Sequence, residues 1–139
     1  MQRIMTSTAL VFAGALLLSG CAAGGGAATP SADACDTVKS EVRDISNGAQ
    51  NSLVSGDDPS EIQSSLEDYS VRVSELAETT DDAVSTELEG LTGALDDAAE
   101  FAGTLPSDPE AEVDADAVAE HQTAIQDAAT AASEACTAE

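Results

Sequence analysis

The side chains best suited to chemistry are three cysteines, Cys21, Cys35 and Cys136, and a single histidine, His121. A hydrolytic triad needs a nucleophile beside a histidine that a carboxylate orients, and no Gly-x-Ser-x-Gly element follows a predicted strand here. The glycine run at 24–26 is not followed by the Lys-Ser/Thr pair that ends a phosphate-binding loop. The sequence therefore predicts no catalytic residues and no cofactor, and we expect a protein that is not an enzyme.

His121 lies three residues after Val118 and four before Ile125, which places the three on one face of a predicted helix. A zinc site would need further ligands, and the spacing of the sequence supplies none. We interpret His121 as a partly buried, hydrogen-bonded histidine. A role as a ligand or as a pH sensor is the alternative.

Aspartates recur in short clusters, which are Asp57-Asp58, Asp81-Asp82, Asp96-Asp97 and Asp114-Ala115-Asp116. A calcium loop of the helix-loop-helix kind needs twelve residues in an Asp-x-Asp-x-Asp-Gly order with a terminal Glu, and none is present. We interpret the clusters as helix caps and solvated surfaces, with weak cation binding as the alternative. No metal site is predicted.

The first 20 residues have the layout of a secretory signal peptide. Arg3 provides the positive charge, and the apolar stretch at 4–18 is too short to span a bilayer comfortably. We expect this segment to be removed. An uncleaved anchor or an ordinary signal peptide with a chance cysteine is the alternative.

The end of that segment, Leu18-Ser19-Gly20-Cys21, resembles the lipobox of bacterial lipoproteins. The resemblance covers residues 1–21 and implies that a diacylglyceryl group is attached to the sulfur of Cys21 and that the chain is cut before it. It further implies a protein anchored in the lipid bilayer through acylated Cys21, on the extracytoplasmic face of the cell membrane. Two acyl chains suffice for stable anchoring, since each buried CH₂ contributes about 0.8 kcal/mol.

Cleavage there leaves 119 of the 139 residues, with three basic and all 27 acidic side chains, hence a formal charge of −24. Such a charge argues against nucleic acid as a partner and favours a cation or a basic surface of another envelope protein. The heavy use of Ala, Asp, Thr and Gly with a single lysine is similar to that of small acidic lipoproteins of G+C-rich Gram-positive bacteria. No motif after Cys21 carries that likeness, so it implies no activity.

Apolar residues recur at steps of three and four in the stretches 35–53, 62–76, 84–105 and 110–135, which predicts four helices. Asp33, Asp58-Pro59 with Glu61, Asp81 and Asp108-Pro109 are expected to start them, and Gly56 and Pro106 to follow their ends. Gly90 and Gly93 lie off the apolar stripe of the third helix, where they are either tolerated surface glycines or points of close approach for a partner.

We predict an all-α, antiparallel up-down four-helix bundle at 34–139, after a signal peptide at 1–20 and a lipidated, flexible linker at 21–33. A dozen flexible linker residues have an r.m.s. end-to-end distance of roughly 20 Å.

In an up-down bundle the start of the first helix and the end of the last lie at the same end, which places Cys35 beside Cys136. Because an exported protein meets an oxidising environment, we predict a disulfide between them. In the chain-entropy model, closing a loop of about 100 residues stabilises the fold by roughly 4 to 5 kcal/mol. Two free thiols or a redox pair are the alternatives.

Two functions fit these expectations. The first is an interaction or structural module of the cell envelope that presents an acidic surface to another protein. The second is a lipoprotein that binds a small molecule or a cation in a pocket along the alanine-rich fourth helix, against Tyr69, Leu88, Leu91 or Ile125.

Overall fold

A computed structural model describes residues 32–108 and 110–136; the predicted signal peptide, Cys21 and most of the linker lie outside them. The described chain forms four helices, α1 (Ala32–Leu53), α2 (Pro59–Ala77), α3 (Asp82–Ala102) and α4 (Ala115–Ala135). Each helix packs against the next, and α4 packs back against α1. Successive helices run antiparallel, as in an up-down bundle, and the connection from α3 to α4 is longer than the other two. The predicted all-α four-helix bundle is confirmed.

The core is formed by one apolar stripe from each helix. Its largest fully buried side chains are Val42, Ile45, Leu66, Val73, Val84, Leu88, Leu91, Leu95 and Ile125. The buried stripe of α4 is otherwise slight, with Val118, Ala129 and Ala132. Small residues line the end of α3 as well, at Ala98, Ala99 and Ala102. Short side chains permit two helices to approach closely, and this lets a helix with few large residues close the bundle.

Three of the helices begin at an aspartate whose carboxylate accepts hydrogen bonds from backbone N–H groups of the first turn. Asp58 accepts from the backbone N–H and the hydroxyl of Ser60, at 3.0 and 2.7 Å, and Pro59 follows as the first helical residue. Asp81 accepts from two backbone N–H groups, as Asp114 does. These contacts satisfy donors that have no partner within the helix. The expected caps at Asp58 and Asp81 are confirmed, with Ser60 rather than Glu61 as the partner of Asp58.

The predicted start of the fourth helix, at Asp108-Pro109, is wrong. Asp108 accepts a hydrogen bond from the backbone N–H of Glu110 at 3.0 Å, but it caps only a single turn. The helix begins at Ala115, where Asp114 accepts from the backbone N–H groups of Asp116 and Ala117 at 3.0 and 3.2 Å. Val113, expected on the apolar stripe, is 46% exposed, whereas Val118 is buried. The helix thus starts where its side chains first reach the core.

Two other predicted boundaries shift by a few residues. Asp33 lies inside the first turn of α1 rather than before it, where its negative charge still interacts favourably with the helix dipole. The third helix ends at Ala102, three residues before the expected Leu105, and the chain continues in tighter turns through Gly103. Gly56 follows α1 with φ of +76°, a conformation that favours glycine.

A close contact joins α1 to α2 at Gly48. A Cβ built on Gly48 would overlap the hydroxyl of Tyr69 and lie 2.6 Å from the ring carbon Cζ, so the ring packs directly over the glycine. The guanidinium of Arg72 lies 5.8 Å from the centre of the Tyr69 ring and bonds the carboxylate of Glu41 on α1 at 2.8 Å. The outer side of this interface is therefore polar, while its inner side belongs to the core.

The corrected start of α4 makes a direct prediction. Asp114→Ala should lower the free energy of unfolding by about 1 kcal/mol, because two backbone N–H groups lose their acceptor. The matched variant Asp108→Ala removes the acceptor of an exposed turn and should change the free energy by less than about 0.5 kcal/mol. Urea denaturation measures both, and a larger loss for Asp108→Ala would place the start of the helix at Asp108 instead.

Candidate functional site

The structure places Cys35 and Cys136 side by side at one end of the bundle. Cys35 lies in the first turns of α1 and is buried, and half-buried Cys136 follows the last residue of α4. The Cys35 side chain lies near enough to act on the ionisation of the Cys136 thiol. Both cysteines are free in this structure, so it does not contain the predicted disulfide, which stays a prediction.

The surroundings of Cys136 keep its thiol protonated. Burial is the main cause that raises its pKa to about 12, and the interaction with the Cys35 side chain acts in the same direction. The ammonium of Lys39 lowers the pKa, but by less than these effects raise it. Because the thiolate is the nucleophilic form, Cys136 is a weak nucleophile at neutral pH.

From the thiol pair, the line of contact between α1 and α4 continues along the bundle; we call it the α1–α4 seam. At its far end, the side-chain amide of Gln50 donates to the hydroxyl of Ser46 at 3.0 Å and to the amide oxygen of Gln126 at 3.1 Å. Gln122 donates to the backbone carbonyl of Gln50 at 3.2 Å. The outer side of the seam is thus held by neutral polar groups above the buried apolar stripes.

A groove of about 460 Å³ lies in the middle of the seam. Its floor is apolar and its rim carries charged, hydroxyl and amide groups. The lining residues are Lys39, Val42, Arg43, Ser46 and Asn47 from α1 and Gln126, Ala129, Thr130, Ser133 and Glu134 from α4. Lys39 and Arg43, two of the three basic residues in the described chain, line this groove. Arg43 forms an ion pair with its sequence neighbour Asp44, at 3.8 Å. The groove can therefore accept a small molecule with an anionic group.

The groove along α4 does not lie against Leu88, Leu91 or Ile125, where the sequence predicted a pocket. All three side chains are fully buried, so those positions are filled by the core. The groove lies on the α1-facing side of the helix, one turn beyond Ile125, and includes Ala129 of the same buried stripe. It arises because alanines and short polar residues on α4 leave room beside the longer side chains of α1.

His121 is half-buried and stacks on Phe101, with ring centres 4.6 Å apart and planes inclined by 26°. Within the described residues, its contact is this stacked ring rather than the predicted hydrogen bond. Stacked aromatic rings stabilise helix packing beyond the area they bury. His121 thus joins α4 to the end of α3.

The aspartate clusters divide between caps and surface. Asp58, Asp81 and Asp114 are helix caps, and Asp96 accepts a hydrogen bond from the buried hydroxyl of Ser70 at 2.6 Å. Nowhere in residues 32–108 and 110–136 do three histidine, cysteine or carboxylate side chains converge as a metal site would require. In the same residues, no helix combines the length and apolar character needed to cross a membrane. Cys21, the predicted lipidation site, lies outside the described chain.

Comparison with protein-family models, with curated proteins and with solved structures found no match to this chain. The candidate site therefore rests on the geometry alone. The sequence pointed to the thiol pair but not to the groove. The sequence signal for the groove was the pair Lys39 and Arg43, since these two of the four basic residues of the whole chain lie one helical turn apart.

The raised pKa of Cys136 predicts how the reduced protein responds to alkali. In the unfolded chain the thiol ionises near its ordinary pKa of 9.0, whereas in the folded chain it holds its proton up to about 12. The folded state thus binds more protons between these values, so its stability, intact below pH 9, falls as the pH rises from 9 to 12.

Urea denaturation in reductant, at about pH 8 and about pH 10.5, measures this loss. The matched variant Cys136→Ala, which has no thiol at this position, should lose less stability between the two pH values. Equal losses in both proteins would contradict the assignment.

Proposed function

We propose that this chain is a lipoprotein of the cell envelope, anchored in the membrane through acylated Cys21, whose helical bundle binds a basic surface of another envelope protein. The observation that carries the proposal is the outward surface of α3. Its exposed charges are all negative, and the helix contains no basic residue. The lipobox-like sequence before the bundle supports the location, and the filled core directs attention to the outer surface.

We define the acidic face by the exposed residues Asp82, Glu89, Asp97 and Glu100, which recur on the outer side of α3. Gly90 and Gly93 lie among them, and a Cβ added to either would meet nothing within 4 Å. The backbone there is open to a partner. α3 also remains a single continuous helix, so the glycines do not kink it into two.

Charge determines which partner the acidic face can accept. Carboxylates on one face, without cations between them, create a negative potential that attracts a basic surface and repels an acidic one. The same repulsion holds the bundle away from anionic lipid headgroups, so the lipid must supply the membrane attachment by itself. α1 differs, because Lys39 and Arg43 offset part of its negative charge.

Carbodiimide crosslinking tests the proposal, because it joins carboxylates directly to lysines and this chain has a single lysine. Applied to membranes that contain the native chain, it should join the acidic face to lysines of a second protein. The triple variant Glu89→Lys, Asp97→Lys and Glu100→Lys should lose this product at least about tenfold, since repulsion replaces attraction. Mass spectrometry of the crosslinked peptides identifies the joined residues.

The matched control reverses three exposed charges on α2, with Glu67→Lys, Asp68→Lys and Glu75→Lys, and should retain the product. Cys21→Ala should remove the acyl mass, release the chain from the membrane fraction and abolish the product. Equal crosslinking in the α2 and α3 variants would contradict the acidic face as the binding surface. A native chain without acyl mass would contradict the anchor.

The groove in the α1–α4 seam favours a second candidate function, the binding of a small molecule. Lys39 and Arg43 lie on one wall, and hydroxyl and amide groups lie on the other together with the carboxylate of Glu134. Two cations against one carboxylate suit a small carboxylate or phosphate rather than a metal cation. The volume of about 460 Å³ falls within the usual range for small-molecule sites.

A thermal-shift screen of small carboxylates and phosphates tests this candidate, because a ligand that binds the folded state raises Tm. The shift should disappear in the double variant Lys39→Gln and Arg43→Gln. The control Arg72→Gln removes the basic residue that lies outside the groove and should keep the shift. A screen without any shift, or a shift that survives the groove variant, would reject the candidate.

A further inference from the structure

We propose that Cys35 and Cys136 form a structural disulfide bond that fastens the membrane-proximal end of α1 to the end of α4. The inference rests on the proposed function for one element only, the oxidising compartment that an exported protein meets. The pairing of these two cysteines rests on the structure.

The fold brings the two cysteines to the same end of the bundle. Cys35, in the first turns of α1, is 6% exposed, and Cys136, directly after α4, packs against the core. The Cys35 side chain lies near enough to act on the ionisation of the Cys136 thiol. Cysteines on neighbouring helix ends are suited to a bridge, which a distant pair could form only with backbone movement.

The bond would reinforce the least extensively packed helix. Of the four helices, α1 makes the least extensive contacts with its neighbours. Along the seam, the hydrogen bonds of Gln50 and Gln122 lie toward the end far from the thiols, and the groove occupies the middle. A covalent link at the thiol end would therefore strengthen the attachment of α1 to α4.

Its position relative to the linker gives the bond a further consequence. The described body begins at Ala32, three residues before Cys35, and the chain between Ala32 and Cys21 joins it to the proposed anchor. Any pull on the linker therefore acts on the first turn of α1. A link between Cys35 and Cys136 would transfer that pull to α4 and prevent the start of α1 from separating from α4.

The state of the thiols favours a structural bond over a redox-active pair. Redox-active cysteines in proteins have a lowered pKa and an exposed thiolate, commonly within a Cys-x-x-Cys motif. Here burial raises the pKa of Cys136 to about 12, and the two cysteines are far apart in the sequence. A thiol of high pKa is a poor leaving group, so the bond, once formed, resists exchange.

The oxidation needs an acceptor, which we take to be a disulfide such as glutathione disulfide. The thiolate of one cysteine attacks the glutathione disulfide and releases one glutathione, which leaves a mixed disulfide. The second cysteine attacks that bond and releases the second glutathione. In sum, two cysteine thiols give up two electrons and two protons, and glutathione disulfide takes them up as two molecules of glutathione.

The test uses the full-length Cys21→Ala chain in mild detergent, which contains only the two cysteines in question. Reduced protein is incubated with glutathione disulfide and examined by intact mass, thiol alkylation and thermal unfolding. We expect a monomer two hydrogens lighter than the reduced chain, with no thiol left to alkylate. Its Tm should exceed that of the reduced chain by roughly 10 to 20 °C, because the bond closes a loop of nearly the whole bundle. The double variant Cys35→Ala and Cys136→Ala should gain no Tm from the oxidant.

Glutathione adducts, disulfide-linked dimers or an oxidised monomer with unchanged Tm would overturn the inference. The native chain extracted from membranes is examined in parallel by alkylation under denaturing conditions. If the purified chain forms the bond but the extracted chain carries free thiols, the pairing holds and the extracytoplasmic location in the proposed function fails. Free thiols in both preparations would reject the disulfide itself.

Discussion

The bundle depends on the packing of an alanine-rich helix into a core supplied mainly by its three partners. The buried stripe of α4 has Ile125 and Val118 as its large members, and alanines complete it. An alanine buries little surface, so α4 contributes through close approach rather than through bulk. The fully buried leucines of α2 and α3 fill the space that results. This arrangement closes the bundle with few large side chains, and none of the aromatic residues that the structure describes is fully buried.

Because the interior of the bundle is filled, its candidate functional features lie on the outside. The three features that stand out are the acidic face of α3, the groove in the α1–α4 seam and the thiol pair at the end of that seam. The first presents unopposed negative charge, whereas the groove holds two of the three cations of the described chain. Recognition of a charged partner, as proposed, would therefore use the outside of the bundle rather than its core.

Hydrophobic spacing predicted all four helices, because a repeat of three and four is preserved wherever a helix faces a core. Helix starts were predicted less well, and the two Asp-Pro pairs show why. Ile62, four residues after Asp58, is buried, whereas the first buried residue of α4, Val118, comes ten residues after Asp108 and four after Asp114. A cap residue starts a helix where the following turn reaches the core, and that distance depends on the tertiary structure.

The candidate site was predictable only where topology alone determines it. The positions of Cys35 and Cys136 follow from the up-down order, which brings the two ends of the chain together. The groove depends on how the faces of α1 and α4 are rotated toward each other. The sequence of a single helix does not determine that rotation. The stacking of His121 on Phe101 likewise joins two helices whose relative shift the sequence does not specify.

Hydrogen exchange of backbone amides tests the central claim, that α4 belongs to the same filled core as the other helices. We predict that the amides around Ile125 exchange as slowly as those around Leu66 and Leu91, because all of them open only when the bundle unfolds as a whole. Fast exchange throughout α4, beside slow exchange in α2 and α3, would contradict the account. It would show a bundle whose fourth helix is loosely attached.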